Sequence, residues 1–392
     1  MVTGDGAYIK KINKSLILQN IIEHQAISRA DLSKITGLNK ATISVQVADL
    51  LENNLIYETK SDSNSIGRRP ILLSLNKDAG YVLGIDFDYK EAEIVVSNLL
   101  GNIVESITLR FETTDYDEII LLLAKYINDY SNKYDFAAYQ LICCVLGIHG
   151  TVDMDEKVQF VPKYQWSHTN MRKDLEKAVD IPIIIENNVN LSAFAEKVYH
   201  YHQNSHVLSI NLSSGIGAGN MVGWEMSKGY HGFAGEMGHM IISPIGPKCT
   251  CGNNGCWELY ASDTSILNRI SEQLNNPEIR LKDVEQLIQE KNPRIEDIFK
   301  EYLFYIAIGL NNIINLFNPG IVVLNSRFLT IYPDAIEIIK KNLQSNVSSY
   351  ENIVLSRLGK KACVIGACAL GIQRFLSISK LCLTDENVSS TK

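Results

Sequence analysis

Apolar residues recur at helical spacing through the first fifty positions, separated by short polar breaks. Residues 9–24 place Ile12, Leu16, Ile21 and Ile22 on one side, which predicts an amphipathic helix. Ser28 stands three residues before Asp31, as at a helix start, and Leu32 and Ile35 lead to a stop at Gly37. Asn39 then caps a third helix whose apolar positions are Ile43, Val47, Leu50 and Leu51. Helix, tight glycine turn, helix is the order of a helix-turn-helix unit. The period then falls to two. Residues 55–57 and 71–75 alternate like a strand pair around a polar loop at 59–70, which reads as a wing. A plain three-helix bundle with a hairpin fits the same pattern.

From about residue 79 strands and helices alternate. Strands are predicted at 81–87, 92–98, 103–109, 140–148 and 183–186, with a helix at 117–131. A second unit opens with a strand at 207–212 and a glycine turn at 215–219. A long helical stretch at 263–318, a strand at 321–325 and a helix from Gly366 follow. This alternation predicts an α/β fold of the two-lobed actin and hexokinase type. The expected domains are a winged helix-turn-helix at 1–78, a first lobe at 79–190 with a C-terminal return at 369–392, and a second lobe at 191–368 with oligomerisation helices.

At 392 residues the chain is too long for one compact core. No apolar run reaches the ~18 residues of a membrane span and the first thirty residues lack a signal-peptide pattern, so no membrane partner is expected. Of eight cysteines, five (Cys143, Cys144, Cys363, Cys368, Cys382) are scattered in apolar or helical contexts, which suits a reducing compartment, the cytoplasm. The net charge of −7 is uneven: residues 1–78 carry ten Lys or Arg against eight Asp or Glu, a weakly basic end on an acidic body. That balance is compatible with one small domain meeting DNA.

Chemistry concentrates at residues 235–262. Cys249, Cys251 and Cys256, with glycines at 252 and 255, offer three thiolates, and His239 offers a fourth ligand. Cys3His is the donor set of a closed, structural Zn2+ site; free thiols or a disulfide are the bland alternative. Glu236 and Glu258 flank these ligands. On the third helix, inward Ile43 and Val47 leave Ala41, Thr42 and Val45 outward, flanked by Lys40, Ser44 and Gln46. Lys40 suits guanine or phosphate, Gln46 adenine and Thr42 a thymine methyl, although each alone also fits a solvated helix face.

The metal segment resembles the signature of the ROK family (repressors, open reading frames and sugar kinases), whose members are sugar kinases or sugar-responsive transcription factors. The resemblance runs from the N-terminal unit to about residue 375 and is nearest to the branch of xylose-operon repressors of low-GC Gram-positive bacteria. It implies that Arg68 and Arg69, between Gly67 and Pro70, read a narrow minor groove. Kinase members need two glycine-rich phosphate turns. The second is present at 213–219. The first, Asp-x-Gly-x-Thr in kinases, reads Asp86-Phe87-Asp88-Tyr89-Lys90 here. Family kinases carry Asn-Asp after a buried strand, the aspartate serving as base; this chain has Asn187 and Asn188, and an amide accepts no proton near neutral pH.

Matching the family pattern residue by residue gives Gly150, Asn187, Asn188, Glu236, His239 and Glu258 as the sugar-binding set, with His149 replacing the usual proline. Trp166 resembles a loop residue near the sugar, and a core tryptophan is an equal reading. The resemblance therefore implies a repressor without enzyme activity. Its expected partners are double-stranded operator DNA, a monosaccharide effector (D-xylose) and a second copy, as a homodimer or dimer of dimers. The competing expectations are a sugar kinase with a DNA-binding head, and a repressor governed by another sugar or by a phosphotransferase protein.

Overall fold

The computed structural model describes residues 6–60 and 70–384. The chain forms two compact units. The first comprises Met1–Asn188, Val198–His200 and Val364–Lys392, the second Val189–Lys197 and Tyr201–Cys363. The N-terminal segment is thus grouped with the first lobe, and the chain crosses between the units at 188/189, 197/198, 200/201 and 363/364, beside the expected lobe limits at 190/191 and 368/369.

The first unit begins with α1 (Gly6–His24), β1 (Ile27–Ser28), α2 (Arg29–Thr36), α3 (Lys40–Glu52), β2 (Ile56–Lys60) and β3 (Ile71–Leu75). Capping chemistry sets the helix limits. The Ser28 hydroxyl accepts from the Asp31 amide at 3.1 Å, Gly37 ends α2 in the left-handed region at φ 72°, and Asn39 Oδ1 accepts from the Thr42 amide at 2.8 Å. β3 pairs antiparallel with both β1 and β2, Leu73 opposite Ile27 and Leu75 opposite Ile56. Ile17, Leu18, Ile21, Leu32, Ile43, Val47, Leu50 and Leu73 are buried. One residue expected to face inward does not: Ile12 is 47% exposed, and Ile35 of α2 is 52% exposed. The buried stripe of α1 starts a turn later than its apolar pattern suggests, because the helix extends beyond the body it packs on.

The lobe that follows contains β4 (Tyr81–Asp88), β5 (Glu91–Asn98), β6 (Ile103–Arg110), α4 (Tyr116–Lys133), β7 (Leu141–Ile148), β8 (Thr151–Val152), β9 (Val158–Val161), β10 (Trp166–Thr169), α5 (Met171–Glu176) and β11 (Ile183–Asn187). Its main sheet has the order β11-β7-β4-β5-β6, with β4, β7 and β11 parallel. These central strands are near-continuous apolar runs, as strands covered on both faces must be. Leu83, Ile85, Leu146 and Ile185 share a core with Ile119, Leu123 and Ile127 of α4. The small antiparallel sheet β8–β10 was not anticipated, its strands being too short to leave a period.

The chain passes through α6 (Asn188–Tyr199) into the second unit: β12 (His206–Leu212), β13 (Ile216–Val222), β14 (Glu225–Met226), α7 (Glu258–Ala261), α8 (Asp263–Leu274), α9 (Leu281–Gln289), α10 (Pro293–Phe317), β15 (Ile321–Asn325), α11 (Arg327–Ile331), α12 (Ala335–Asn342) and β16 (Asn352–Leu355). Its sheet has the order β14-β13-β12-β15-β16. The helical stretch expected at 263–318 is three helices, broken where Asn275 turns left-handed at φ 49° and where Asn292 caps a new start at Pro293. The expected glycine turn at 215–219 is shorter than predicted. Only 213–215 form the turn, and Gly217 and Gly219 lie inside β13. A Cβ at Gly217 would sit 2.8 Å from Val189 Cγ1, and one at Gly219 2.4 Å from the Val189 carbonyl oxygen. Close packing of α6 on β13 therefore accounts for both glycines without a phosphate.

The last helix, α13 (Ala362–Leu376), starts four residues before Gly366, and from Val364 onward it belongs to the first unit. It lies directly on β4: a Cβ at Gly84 would be 2.7 Å from the Val364 carbonyl oxygen, and one at Gly371 2.5 Å from Val82 Cγ1. Just beyond it the Ser15 hydroxyl donates to the Ser377 carbonyl at 2.7 Å, and nearby the Tyr139 hydroxyl donates to the Asn53 carbonyl at 3.1 Å, so α1 and α3 are fastened to the lobe. Among the described residues no helix is long and apolar enough to cross a membrane.

Candidate functional site

In the second unit a short 3-10 turn, Met237–His239, faces a loop that doubles back through residues 241–256. Gly255 permits the reversal: its φ is 69°, and a Cβ there would fall 1.7 Å from the Ser243 carbonyl oxygen. One ligand atom from each of His239, Cys249, Cys251 and Cys256 lies within 4.8 Å of the others. Cys251 Sγ is 3.6 Å from Cys256 Sγ, and Cys249 Sγ 3.6 Å from His239 Nδ1. A tetrahedral ion with sulfur at ~2.3 Å and nitrogen at ~2.0 Å holds sulfurs about 3.8 Å apart and nitrogen about 3.5 Å from each sulfur. The four side chains thus fit a metal ion.

Burial pushes the Cys249 thiol up and the Cys256 thiol up to about 12, while the Asn253 amide pulls Cys251 down. A bound cation would overcome these shifts, since thiol ligands lose their protons to it. The carboxylates flank the ligands as expected: Glu258 Oε1 is 3.4 Å from His239 Nδ1 and accepts from Cys249 Sγ at 3.1 Å, and Glu236 Oε2 is 3.9 Å from His239 Nε2. Desolvation, partly offset by His239, raises the Glu236 carboxyl. Glu258 begins α7, anchored by the fully buried Trp257, whose indole N–H donates to the Tyr305 carbonyl at 2.8 Å.

In the first unit β11 and β7 end side by side, Asn187 opposite Ile148. Asn187 Nδ2 donates to the Gly150 carbonyl at 2.8 Å. Asn188, 8% exposed, places Nδ2 3.3 Å from His149 Nδ1, and His149 Nε2 meets Asp86 Oδ1 at 2.8 Å. Asp88 Oδ1 accepts from Lys163 Nζ at 2.9 Å and from the Tyr89 amide at 2.6 Å. Asp88, at the position where the family resemblance expects a turn glycine, is thus held by its own turn and by Lys163. Burial of Asp88 is outweighed by His149 and Lys163, so its carboxyl is held below the usual range. Lys163 escaped the sequence reading because it lies 75 residues from Asp88 and no spacing rule links them. Trp166 stacks on Tyr164 at 4.3 Å and packs on the lobe's core, which supports the packing reading.

On α3, Lys40, Ala41, Ser44 and Val45 are exposed, Val45 at 62%, and Thr42 is half-buried. Gln46 departs from expectation: it is 4% exposed, with its Oε1 buried and unpartnered. Position 46 falls three residues after Ile43 on the helix, which turns it inward with the core stripe. Arg68 and Arg69 lie outside the described residues.

The chain belongs to the ROK family, whose sequence profile matches residues 82–374. It is 34% identical to the xylose repressor of Bacillus spizizenii over 387 residues, 97% of this chain and 100% of that one. Among solved structures it is similar to a ROK family transcriptional regulator described as a homologue of the E. coli MLC protein, with a TM-score of 0.81, 25% identity, and coverage of 95% of this chain and 98% of the other. A ROK family glucokinase from Streptomyces griseus, solved with glucose and AMPPNP, matches with a TM-score of 0.65 and 23% identity, covering 74% of this chain and 99% of the kinase.

Proposed function

We propose that the chain is a sugar-responsive transcriptional repressor of xylose-utilisation genes. The observation that carries this is one of extent. Likeness to the xylose repressor and the ROK regulator runs through 95–97% of the chain, whereas the glucokinase is used up at 74%. The family profile starts only at residue 82, so the expected helix-turn-helix segment lies outside it. Lys40, Ala41, Thr42, Ser44 and Val45 would face the major groove of a palindromic operator bound by a dimer, with Arg68 and Arg69 in the minor groove. The buried Gln46 is withdrawn from that set.

The Cys3His donor set favours zinc, held by His239, Cys249, Cys251 and Cys256; bound there, the ion would act as a structural clamp. These four residues fix Glu236, Glu258 and the free edge of His239 as rigid hydrogen-bonding groups. The family pattern assigns sugar binding to these three residues and to Gly150, Asn187 and Asn188 of the first unit. Phosphoryl transfer is not proposed, because Asn188 supplies no base and the Asp88–Lys163 pair fills the first phosphate turn. A pentopyranose has no exocyclic hydroxymethyl needing a base, which suits an amide at 188. Sugar would favour a form whose two heads no longer match the operator spacing.

Operator binding by the purified protein, titrated with D-xylose, tests the reading. Release by xylose is expected. If calorimetry shows that another sugar binds and releases DNA while xylose does not bind, the assignment to xylose fails. If no free sugar binds at all, control by a protein partner replaces it.

A further inference from the structure

The end of β4 and the Ile148–Gly150 turn bring Asn188, which the repressor reading assigns to the sugar, together with charged and titratable groups to which that reading gives no part in effector binding. Asp86 and Asp88 come from β4, Lys163 from the β9–β10 connection, His149 from the end of β7, and Asn188 from the first turn of α6. The hydrogen-bonding roles are forced by chemistry. A carboxylate only accepts, so the 2.8 Å contact with Asp86 Oδ1 puts a proton on His149 Nε2. In the neutral ring Nδ1 is then an acceptor, and the amide group it meets at 3.3 Å must be the Nδ2 donor of Asn188.

We propose that His149 is a positioning residue for Asn188. Its Asp86-bound neutral form holds the amide with the NH2 group toward the ring, and protonation at Nδ1 reverses the amide, so that one proton decides which end Asn188 turns away from the histidine. Protonation puts two donors face to face across the 3.3 Å contact and draws Nδ1 toward Asp88 Oδ1, 3.8 Å away. The amide answers by rotating its carbonyl to the ring. The charged groups facing the imidazole are Asp86 and Asp88, which favour its protonation, and Lys163, which opposes it. Burial opposes it too, yet the two carboxylates prevail and His149 is raised above its ordinary value.

The consequence for effector binding rests on the assignment of Asn188 to the sugar set, but the pairing itself does not, and the experiment separates them. Selective 15N labelling of histidine in the full-length protein, assigned with a His149→Gln variant, reports tautomer and titration without any sugar. The expected result is an Nε2–H tautomer above the transition, with the Asn188 side-chain amide shifting over the same pH range. An Nδ1–H tautomer, or an Asn188 amide indifferent to the His149 titration, would overturn the proposal. In the second arm, D-xylose affinity is followed calorimetrically from pH 5.5 to 8. Wild-type affinity should change about fivefold through the His149 transition, the size of one neutral hydrogen bond. His149→Gln, which offers a donor to Asp86 and an acceptor to Asn188 at every pH, should bind sugar with a flat profile. His149→Phe should bind weakly throughout. A flat wild-type profile, or an equal pH dependence in His149→Gln, would overturn it. Absence of xylose binding at every pH would count against the xylose reading and leave the labelling result to decide the pairing.

Discussion

Gly309 of α10 lies under the indole of Trp257, so close that a Cβ at 309 would fall 2.0 Å from Trp257 Cε2. The cysteine loop and α7 thus sit on α10 through one large side chain and one missing one. Gly309→Ala should gain ~1 kcal/mol of helix propensity and still lose stability, because overpacking a rigid core costs about 1–3 kcal/mol or more. A lowered denaturation midpoint is expected; an unchanged or raised one would refute this packing.

Metal content tests the four ligands directly. One zinc per chain is expected, falling well below one in Cys251→Ser. Chelation should lower the melting temperature and abolish sugar response before it weakens operator binding, because the ligands all belong to the second unit and α3 to the first. Retention of full metal by Cys251→Ser would exclude the site.

On α3, the proposed recognition helix, the exposed and buried polar residues should behave oppositely. Lys40→Ala is expected to weaken operator binding and, if it contacts phosphate, to lower the salt slope by about 1. Gln46→Met should leave affinity nearly unchanged and hold or raise stability, since it removes a buried oxygen without a partner. Loss of sequence preference in Gln46→Met, by footprinting, would return that residue to the interface.

The acidic cluster at His149 gives a pH window for stability. His149 is raised from 6.5, so its contribution is complete below about 6.5 and is lost as pH rises through the higher folded value. Asp88 is lowered from 3.8, so its contribution is complete above about 3.8 and is lost as pH falls through the lower folded value. Between these limits wild type should exceed His149→Phe in urea midpoint by its largest margin, and the margin should shrink as pH rises through the raised His149 value. A margin independent of pH would show that His149 only fills space.

No sugar phosphorylation is expected with ATP across pentoses and hexoses, and Asn188→Asp alone should not create it, because Asp88 still occupies the phosphate turn. Turnover near ~1 per second in either protein would restore the kinase reading.

Legibility in the sequence followed the range of the interactions involved. Ser28, Gly37 and Asn39 act within three or four residues of themselves, and they marked the helix limits correctly. The cluster of His239, Cys249, Cys251 and Cys256 was legible because spacing and donor chemistry are both local. Gln46 was misjudged because a polar residue at the edge of an apolar stripe faces either way until the third dimension decides. Gly217 and Gly219 resembled a phosphate turn because a glycine needed for helix packing looks the same in sequence as one needed for a ligand. The Asp88–Lys163 and Asp86–His149 pairs join residues 75 and 63 positions apart, and nothing along the chain announced them.

The position of α13 has a consequence for synthesis. Its residues cover Val82 and Gly84 of a sheet whose first strand is made almost three hundred residues earlier, whereas the second unit is nearly one continuous stretch, Tyr201–Cys363. On the ribosome the second unit can close while one face of the first sheet is still bare. The N-terminal segment is therefore made first but gains its full support last, when Ser377 emerges to meet Ser15. A nascent or prematurely terminated chain would expose that apolar face, which makes the C-terminal helix the step at which this protein escapes aggregation and becomes a competent regulator.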